Sequence, residues 1–445
     1  MQGQSYATRR FVIIALVAIS TTILAWTAAH RYRYPSLPAE QLDALRLVHH
    51  AILEDYVFAR DGEELMYAAI DGMVASLDRY CRFVPPEEVR SFETDEITGT
   101  YEGIGVQLAP SDSAMIVNWP FVDGPAERAG VHVGDELLAA DGVKLENVRD
   151  GVQHLLGPAG STVRIRIRRG EQELELAIER GSVQKRPIRW ARLVGPDANI
   201  GYLHIVEFQR GMTVAFDAAV ERLRERAGGE LAGLVVDLRS NPGGLLTEAV
   251  ALSNRFLESG LIVSLKRRDG EVVESHSAEA AKCTLPELRT AVLIDRNSAS
   301  ASEVFCAALQ DHDRASLVGE RTYGKGVVQQ IYSWPNRDFR LKMTSSHYYT
   351  PNGRNISKTL RREDDDSSDP GGIDPDVAVP LTREIGIATA HALGRPEPPE
   401  KYSTEVAALA ERLGVEFQTG VHGTDDACLA AAIELLRAPP AEDGR

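Results

Sequence analysis

Two segments of this chain repeat one local pattern, in which a short apolar run leads through small residues into a helix-like stretch. In the first segment, the apolar residues 233–239 are followed by the loop 241–244 and an apolar-periodic stretch from Leu245. In the second segment, residues 290–295 are followed by a Ser/Ala-rich turn and a helix-like stretch from Ala301. Short apolar runs bounded by turn residues are typical of buried strands. Strand–loop–helix repeats therefore indicate an α/β layer structure.

The turn of the second repeat carries residues that fit covalent chemistry. Ser300 and Glu303 match the S-x-x-E capping box, so a helix is predicted to begin at Ser300. Lys325 follows twenty-five residues later between two glycines, and Gln329 lies four residues beyond it. A neutral amine can take the proton of a serine hydroxyl, and desolvation lowers the pKa of a lysine toward that role. The backbone N–H groups at a helix start would stabilise an oxyanion.

The same local features have simpler interpretations. A capping serine is often only a cap, and Gly-Lys-Gly is often only a turn. The residues from Gly319 to Lys325 also match the start of a phosphate-binding loop. Gly326, however, stands where that loop needs a magnesium-binding hydroxyl, and no strand-to-loop pattern precedes it. A nucleotide-binding function is therefore disfavoured.

Three motifs in a fixed order narrow these alternatives. They are DLRSNPGG at 237–244, NSASASE at 297–303 and GERTYGKGVVQ at 319–329. With them the chain resembles the C-terminal processing peptidases, the Ser/Lys family of tail-specific proteases, over roughly residues 40–380. The resemblance implies an α/β fold with a crotonase-like ββα protease core, an inserted PDZ domain, an N-terminal helical segment and a C-terminal helical extension.

The resemblance also implies roles for single residues. Ser300 would be the nucleophile, Lys325 its general base, and Gln329 the side chain that holds the lysine amine. If a strand runs from 325 to 329, Gln329 lies on the same face as Lys325. Backbone N–H groups of Gly243 and Ala301 would form the oxyanion hole, although the loop 241–244 taken alone reads as an ordinary turn.

Two residues near the predicted site complicate the assignment. His347 is the histidine of this region that would suggest a Ser-His arrangement instead of a Ser-Lys pair. The stretch 77–81 reads LDRYC where the family usually has LDPHS or LDPYS. We interpret this departure as a change in a local turn and not in the chemistry.

Residues 99–181 resemble a PDZ domain, most clearly in the segment GPAERAGVHVGDELLAADG at 124–142. The stretch Gly103, Ile104, Gly105 and Val106 resembles the carboxylate-binding loop and the start of its strand. In such a loop backbone N–H groups bind a C-terminal carboxylate, and the extended peptide adds to the sheet edge. We expect Ile104 and Val106 to line the pocket for the last side chain. The alternative is that the two glycines only make a turn.

The N-terminus carries the membrane signal of the sequence. Residues 1–10 are polar and end in two arginines, and residues 11–29 are an uncharged, mostly apolar run. A run of nineteen is close to the ~20 residues that a spanning helix needs. We expect an uncleaved signal anchor in the inner membrane of a bacterial cell envelope, with the catalytic part outside the cytoplasm. The alternative is a cleaved signal peptide, with its cleavage site at 27–29, and a periplasmic protein.

Composition limits the partners. The chain of 445 residues has a net charge of −16, which argues against a nucleic-acid partner. Its four cysteines are widely spaced without a C-x-x-C pair, so no metal or other cofactor is expected. Cys306, on the helix after Ser300, is predicted to be a small buried residue. The predicted divisions are the cytoplasmic tip and anchor (1–35), the N-terminal helical segment (36–95), the PDZ domain (96–181), the protease core (182–380) and the C-terminal extension (381–445).

Together these observations predict an exported serine endopeptidase that acts on proteins with apolar C-terminal tails. The resemblance further implies dimer contacts through the N-terminal helical segment, and it leaves open activation by a partner protein. The main alternative is a catalytically inactive PDZ adaptor of the same fold. An apolar-ligand carrier on that fold is a weaker alternative, because Ser300, Lys325 and the PDZ-like segment are all present.

Overall fold

The computed structural model describes residues 38–93, 99–110, 115–145, 147–358, 370–380, 389, 393, 397–413 and 426–439. The predicted anchor at 11–29 lies outside these residues. Among the residues described, no helix is both long enough and apolar enough to cross a membrane. The chain divides into two compact units, one that ends at Leu77 and one that starts at Asp78.

The first unit contains the helices α1 (Ala39–Asp55) and α2 (Gly62–Ala75). Asp61 caps α2, because its side chain accepts hydrogen bonds from the backbone N–H groups of Glu63 and Glu64. No residue of α1 is buried. Its exposed apolar side chains are Leu42, Leu45, Leu47, Val48 and Leu53. These helices agree with the helical periodicity of this stretch.

The second unit is built on a six-stranded sheet. Its strands are, in spatial order, β10 (Ile188–Val194), β11 (Ile200–Ile205), β12 (Gly233–Asp237), β15 (Thr290–Ile294), β16 (Ser316–Gly319) and β19 (Val377–Ala378). The pairs from β11 to β19 are all parallel, and β10 is antiparallel to β11. The loops that leave β12, β15 and β16 therefore start at the same edge of the sheet.

Both faces of this sheet are covered, which explains why β12 and β15 are buried along their whole length. One face packs against α6 (Met212–Ala227), α7 (Leu246–Phe256) and α8 (Ala301–Asp311). The other face packs against the last helix, α10 (Ala427–Arg437). Helix α9 (Ser403–Leu413) precedes α10 in the chain. The predicted strand–loop–helix repeats are thus β12–α7 and β15–α8, in one layered α/β core.

A second, antiparallel sheet lies against α7 and α8. It consists of β1 (Arg82–Val84), β13 (Leu261–Lys266), β14 (Val272–Ser277), β17 (Val327–Tyr332) and β18 (Arg340–Tyr349). The long strand β18 pairs with β1, β13 and β17. The short helix α3 (Pro86–Glu93) follows β1.

Residues 100–184 form a separate small domain with its own apolar core. Its main sheet has the order β3 (Val106–Pro110), β4 (Met115–Pro120), β5 (Glu136–Ala140), β7 (Thr162–Arg169) and β8 (Gln172–Glu179), with β6 (Val143–Lys144) paired to β5. The first and last strands of this stretch, β2 (Thr100–Gly103) and β9 (Gly181–Gln184), pair with each other in a separate antiparallel ribbon. Its helices are α4 (Pro125–Arg128) and α5 (Val148–Leu155).

All four cysteines are free thiols. Cys306 is fully buried in α8, and this confirms its predicted role as a small packing residue.

Candidate active site

Ser300 lies at the point where β15 turns into α8. Its backbone has φ 57° and ψ −116°, a positive-φ conformation outside the favoured regions that is costly for a residue with a side chain. The side chain is only 6% exposed. Strained backbone of this kind is concentrated at functional sites. The predicted helix start at Ser300 is confirmed, and the N–H of Ala301, the first residue of α8, has no intrahelical acceptor.

Glu303 ties the backbone of Ser300 to the loop that carries Lys325. One carboxylate oxygen accepts hydrogen bonds from the backbone N–H groups of Ser300 and Lys325, both at 2.8 Å. The other oxygen accepts from the Thr322 hydroxyl and from the Gly324 N–H, both at 2.6 Å. Glu303 is completely buried. Burial raises its pKa, whereas the four hydrogen bonds act in the opposite direction.

The capping motif predicted only one of these four bonds. The bond from the Ser300 N–H is half of the capping box. The other three bonds come from residues 322–325, which a local pattern cannot place beside Glu303. The role of Glu303 as a link between the two segments was therefore missed from sequence.

Lys325 lies in the loop after β16, and the backbone of another segment packs closely against this loop. A Cβ on Gly326 would lie 2.3 Å from the backbone nitrogen of Ser357, so only glycine fits there. The Lys325 ammonium lies 4.7 Å from the centre of the Tyr80 ring, which is a cation–π contact. Tyr80 belongs to the LDRYC stretch. Tyrosine also stands at this place in the family's LDPYS form, so the contact involves a shared residue and not the departure itself, which consists of Arg79 and Cys81. The interpretation of that departure as a change in a local turn stays a prediction.

Gln329 lies on β17, which begins at Val327, so the strand from 325 to 329 that the face-sharing argument assumed is not formed. Its side-chain amide donates to the carbonyl of Val327 at 3.5 Å and to the Thr344 hydroxyl at 3.4 Å. The register of the β17–β18 pair shifts between Val328 and Gln329. The face-sharing argument for Lys325 and Gln329 thus loses its basis, since Lys325 precedes the strand.

The loop after β12 lies directly against Ser300. A Cβ on Gly243, which has φ 106°, would lie 2.7 Å from the carbonyl oxygen of Ala299 and 2.8 Å from the Cβ of Ser300. The same point is 2.9 Å from the backbone nitrogen of Ala301, so both predicted oxyanion-hole residues are brought together. The Gly243 N–H donates to the side-chain oxygen of Asn241 at 2.9 Å. To bind an oxyanion, this N–H must exchange that partner.

Tyr348, which sequence reasoning did not select, contributes a hydroxyl beside the nucleophile. It is buried on β18, and against the effect of this burial the Ser300 side chain acts to lower the pKa of its hydroxyl. Burial raises the pKa of Tyr348 to about 12, so it stays protonated. Successive side chains of a strand point to opposite faces. His347 therefore points away from the face on which Tyr348 meets Ser300, which disfavours the Ser-His alternative.

The small domain places the predicted peptide-binding residues at one end of β3. Strand β3 is the terminal strand of its sheet, paired only with β4 among the described residues, and α5 lies against it. This is the open edge that peptide addition requires. Gly105 has φ 72°, and Gly103 ends β2. Ile104 is 2% exposed and belongs to the domain core, whereas Val106 is half-buried. Val106 can therefore line the wall of a peptide-binding pocket, whereas the side chain of Ile104 packs into the domain core.

No group of three or more potential metal ligands occurs among the residues described. The chemistry available at the site is that of a strained serine beside a helix N-terminus, a lysine on an adjacent loop and a buried carboxylate between them. This set of groups is suited to acyl transfer.

Two family descriptions match the chain. Residues 199–379 match Peptidase family S41, and residues 103–179 match the PDZ domain. The first range contains five of the six strands of the main sheet, from β11 to β19, together with Ser300, Glu303 and Lys325. The second range contains β3 and its binding loop. The predicted fold class, an α/β protease core with an inserted PDZ domain and flanking helices, is confirmed.

Curated relatives extend over most of the chain. A probable CtpA-like serine protease of Staphylococcus haemolyticus is 30% identical over 86% of this chain and 75% of its own length. A carboxy-terminal-processing protease of Bartonella bacilliformis is 30% identical over 83% of this chain and 80% of its own. The solved photosystem II D1 C-terminal processing protease is 26% identical, with a TM-score of 0.44, over 77% of this chain and 94% of its own. The chain therefore belongs to peptidase family S41, as a serine-type C-terminal processing peptidase with a PDZ domain.

Proposed function

We propose that this peptidase is an exported serine endopeptidase that cleaves proteins near or from their C-terminal tails. The observation that carries the proposal is the bridge through Glu303, which holds the backbones of Ser300 and Lys325 on a single buried carboxylate oxygen. A bridge of this kind fixes the two backbone segments that carry the nucleophile and its base relative to each other before any substrate arrives.

In the proposed reaction the Ser300 hydroxyl attacks the scissile carbonyl while Lys325 takes its proton. The tetrahedral oxyanion is stabilised by the N–H of Ala301, at the start of α8, and by the N–H of Gly243, in the loop after β12, once the latter has left the Asn241 side chain. Lys325 then gives the proton to the leaving amine, and an acyl-enzyme on Ser300 remains. Water attacks the acyl group with Lys325 again as base, which releases the acid product and restores the serine. For Gln329 to hold the lysine amine during these steps, its side chain must leave its partners in this structure, the Val327 carbonyl and the Thr344 hydroxyl.

The PDZ domain is proposed to select apolar C-terminal tails. The tail would pair with the open edge of β3, its carboxylate on the backbone N–H groups of residues 103–106 and its last side chain against Val106. Ile104 packs in the domain core, so the proposed contact to the last side chain is assigned to Val106. Such a domain either delivers the tail or unblocks the site, and a partner protein would be an additional route to activation.

Two proposals concern the first unit and the N-terminus. The exposed apolar side chains of α1 support a homodimer formed through the N-terminal helices. Residues 11–29 would anchor the protein in the inner membrane with its catalytic part outside the cytoplasm, or would be removed to leave a periplasmic enzyme. Sedimentation of residues 36–445 tests the first proposal, and N-terminal sequencing of the envelope fraction tests the second.

The test of function uses an unfolded reporter with an apolar C-terminal tail, beside a matched reporter that ends in two aspartates. Both are incubated with residues 36–445 of the parent and of Ser300→Ala, and products and binding are measured separately. We expect the parent to cleave the apolar reporter, and Ser300→Ala to bind it without cleavage. Binding without cleavage by the parent would favour the PDZ adaptor. Equal cleavage of both reporters would refute tail selection.

A further inference from the structure

The C-terminal helix is joined to the active-site loop by a buried charge cluster. The Arg239 guanidinium, 1% exposed, donates to both oxygens of Asp426, at 2.9 and 2.6 Å. It also donates to Asp237, with the shortest bond at 2.6 Å. Tyr202 adds a hydrogen bond to Asp237 at 2.8 Å. Burial acts to raise the pKa of Asp237, but the neighbouring Arg239 overcomes it and holds that pKa below its usual value.

One end of this charge cluster lies where β12 leads into the loop that packs against Ser300. Asp237 ends β12, and Arg239 immediately precedes the loop 240–244. The carbonyl of Asn241 in that loop accepts hydrogen bonds from the Ala299 N–H at 3.0 Å and the Ser302 hydroxyl at 3.1 Å. Arg239 and Gly243 lie four residues apart in one segment, and the backbone of Gly243 lies close to Ser300 and Ala301. A shift of Arg239 would therefore displace the oxyanion-binding position.

The other end of the cluster is set by α10. Asp426 is the N-cap of that helix, and one of its oxygens accepts from the N–H groups of Cys428 and Leu429, both at 3.1 Å. The helix is held in turn by its apolar face, since Leu429 and Leu436 pack on the sheet. The carboxylate of Asp426 therefore has a fixed position, determined by helix packing on the face of the sheet away from α8.

We propose that Asp426 is a positioning residue of the active site. Through Arg239 it holds the end of β12 and the loop 240–244 where the tetrahedral oxyanion needs its donors. The C-terminal helix is then part of the catalytic apparatus and not only a cover for the sheet. This inference rests on the proposed function for its kinetic consequence, but its structural part is independent of that function.

The variant Asp426→Asn separates the two roles of this residue. Asparagine caps helices as well as aspartate does, so α10 keeps its start. It lacks the charge, and its amide group faces the guanidinium of Arg239. The matched control is Asp61→Asn, which makes the same change at the exposed N-cap of α2. Kinetics on the apolar-tailed reporter, inhibition by a peptide aldehyde, and hydrogen exchange of residues 239–244 are measured for both variants.

We expect Asp426→Asn to lower kcat by about 10–100-fold with KM little changed, because loss of a well-placed oxyanion donor costs at least this much. The peptide aldehyde forms an adduct whose oxygen occupies the oxyanion position. Its affinity for the enzyme should therefore fall by a similar factor. Exchange should quicken in residues 239–244 and stay slow in 427–437. Asp61→Asn should change none of these quantities.

Unchanged exchange of 239–244 in Asp426→Asn would overturn the proposal, whether or not the parent cleaves the reporter. Faster exchange with unchanged kcat would overturn it as well, because the loop position would then not matter for catalysis. A parent that does not cleave refutes the proposed function, and the exchange result alone then decides the structural part. If Asp426→Asn does not fold, Tyr202→Phe removes only one hydrogen bond of the cluster and should lower kcat by about fivefold.

Discussion

Replacement of Glu303 by glutamine tests the bridge between the nucleophile and its base. Each oxygen of the carboxylate accepts two hydrogen bonds, so an amide nitrogen in either position meets two donors. The less costly orientation places the nitrogen at Thr322 and Gly324, because the threonine hydroxyl can rotate to accept. The Gly324 N–H is then buried without an acceptor.

The expected effects follow from these bonds. One unsatisfied buried donor costs about 1–3 kcal/mol, and the remaining bonds lose their charge-assisted strength, so we expect roughly 2–4 kcal/mol less free energy of unfolding. Burial of the charged Glu303 carboxylate is itself unfavourable, which is why burial raises its pKa. The neutral amide of glutamine avoids this cost, and the gain offsets part of the loss in stability. A displacement of the Lys325 loop by about 1 Å would lower kcat/KM by about 10²-fold.

The assay combines urea unfolding with kcat/KM on the apolar-tailed reporter. The control is Glu320→Gln, which makes the same change in a carboxylate paired with the exposed Arg296 and outside the bridge. We expect that control to keep its kcat/KM and to lose at most about 1 kcal/mol. A folded Glu303→Gln enzyme with kcat/KM within about threefold of the parent would refute the bridge as a determinant of catalysis.

Three further changes have defined outcomes. Tyr348→Phe removes the hydroxyl beside Ser300 and should lower kcat about fivefold, as the loss of one hydrogen bond would; an unchanged kcat would show that the contact is only packing. His204 is buried, which lowers its pKa from 6.5 to about 4, so the unfolded chain binds an extra proton in this window. The free energy of unfolding should therefore fall by about 1.4 kcal/mol per pH unit as pH drops from 6.5 to 4. In urea titrations at several pH values, His204→Gln should make this dependence on pH less steep. A variant with the same pH dependence as the parent would contradict the assignment to His204. The pKa of Glu127 is lowered from 4.5 to about 2 by its hydrogen bonds to Lys401 and Tyr402, so the stability it provides is complete above pH 4.5 and is lost as pH falls toward 2. Glu127→Gln should quicken hydrogen exchange of residues 400–413 at neutral pH, and exchange equal to that of the parent would contradict this tether.

The parts of the site that sequence predicted are those encoded by local pattern. The strands before residues 241 and 300, the helix start at Ser300 and the lysine between two glycines all depend on neighbours in the chain. Parallel strands then bring their following loops to one edge, which places these residues together. Both the motifs and the α/β fold class could therefore be predicted from the sequence alone.

The parts that sequence did not predict depend on contacts between distant segments. The link from Glu303 to Lys325 spans twenty-two residues, and that from Arg239 to Asp426 spans 187. Local periodicity contains no information on either pair. Ile104 shows the same limitation in the PDZ domain, because the motif fixes its place in the loop but not whether its side chain faces the groove or the core.

The most direct test of the dyad compares Lys325→Ala with His347→Ala in kcat/KM on the apolar-tailed reporter, with folding checked by thermal unfolding. A general base contributes about 10²–10⁴-fold. We predict a loss of this size for Lys325→Ala and a change of at most a few-fold for His347→Ala, whose side chain points away from Ser300. Full activity in Lys325→Ala together with loss of activity in His347→Ala would contradict the proposed mechanism.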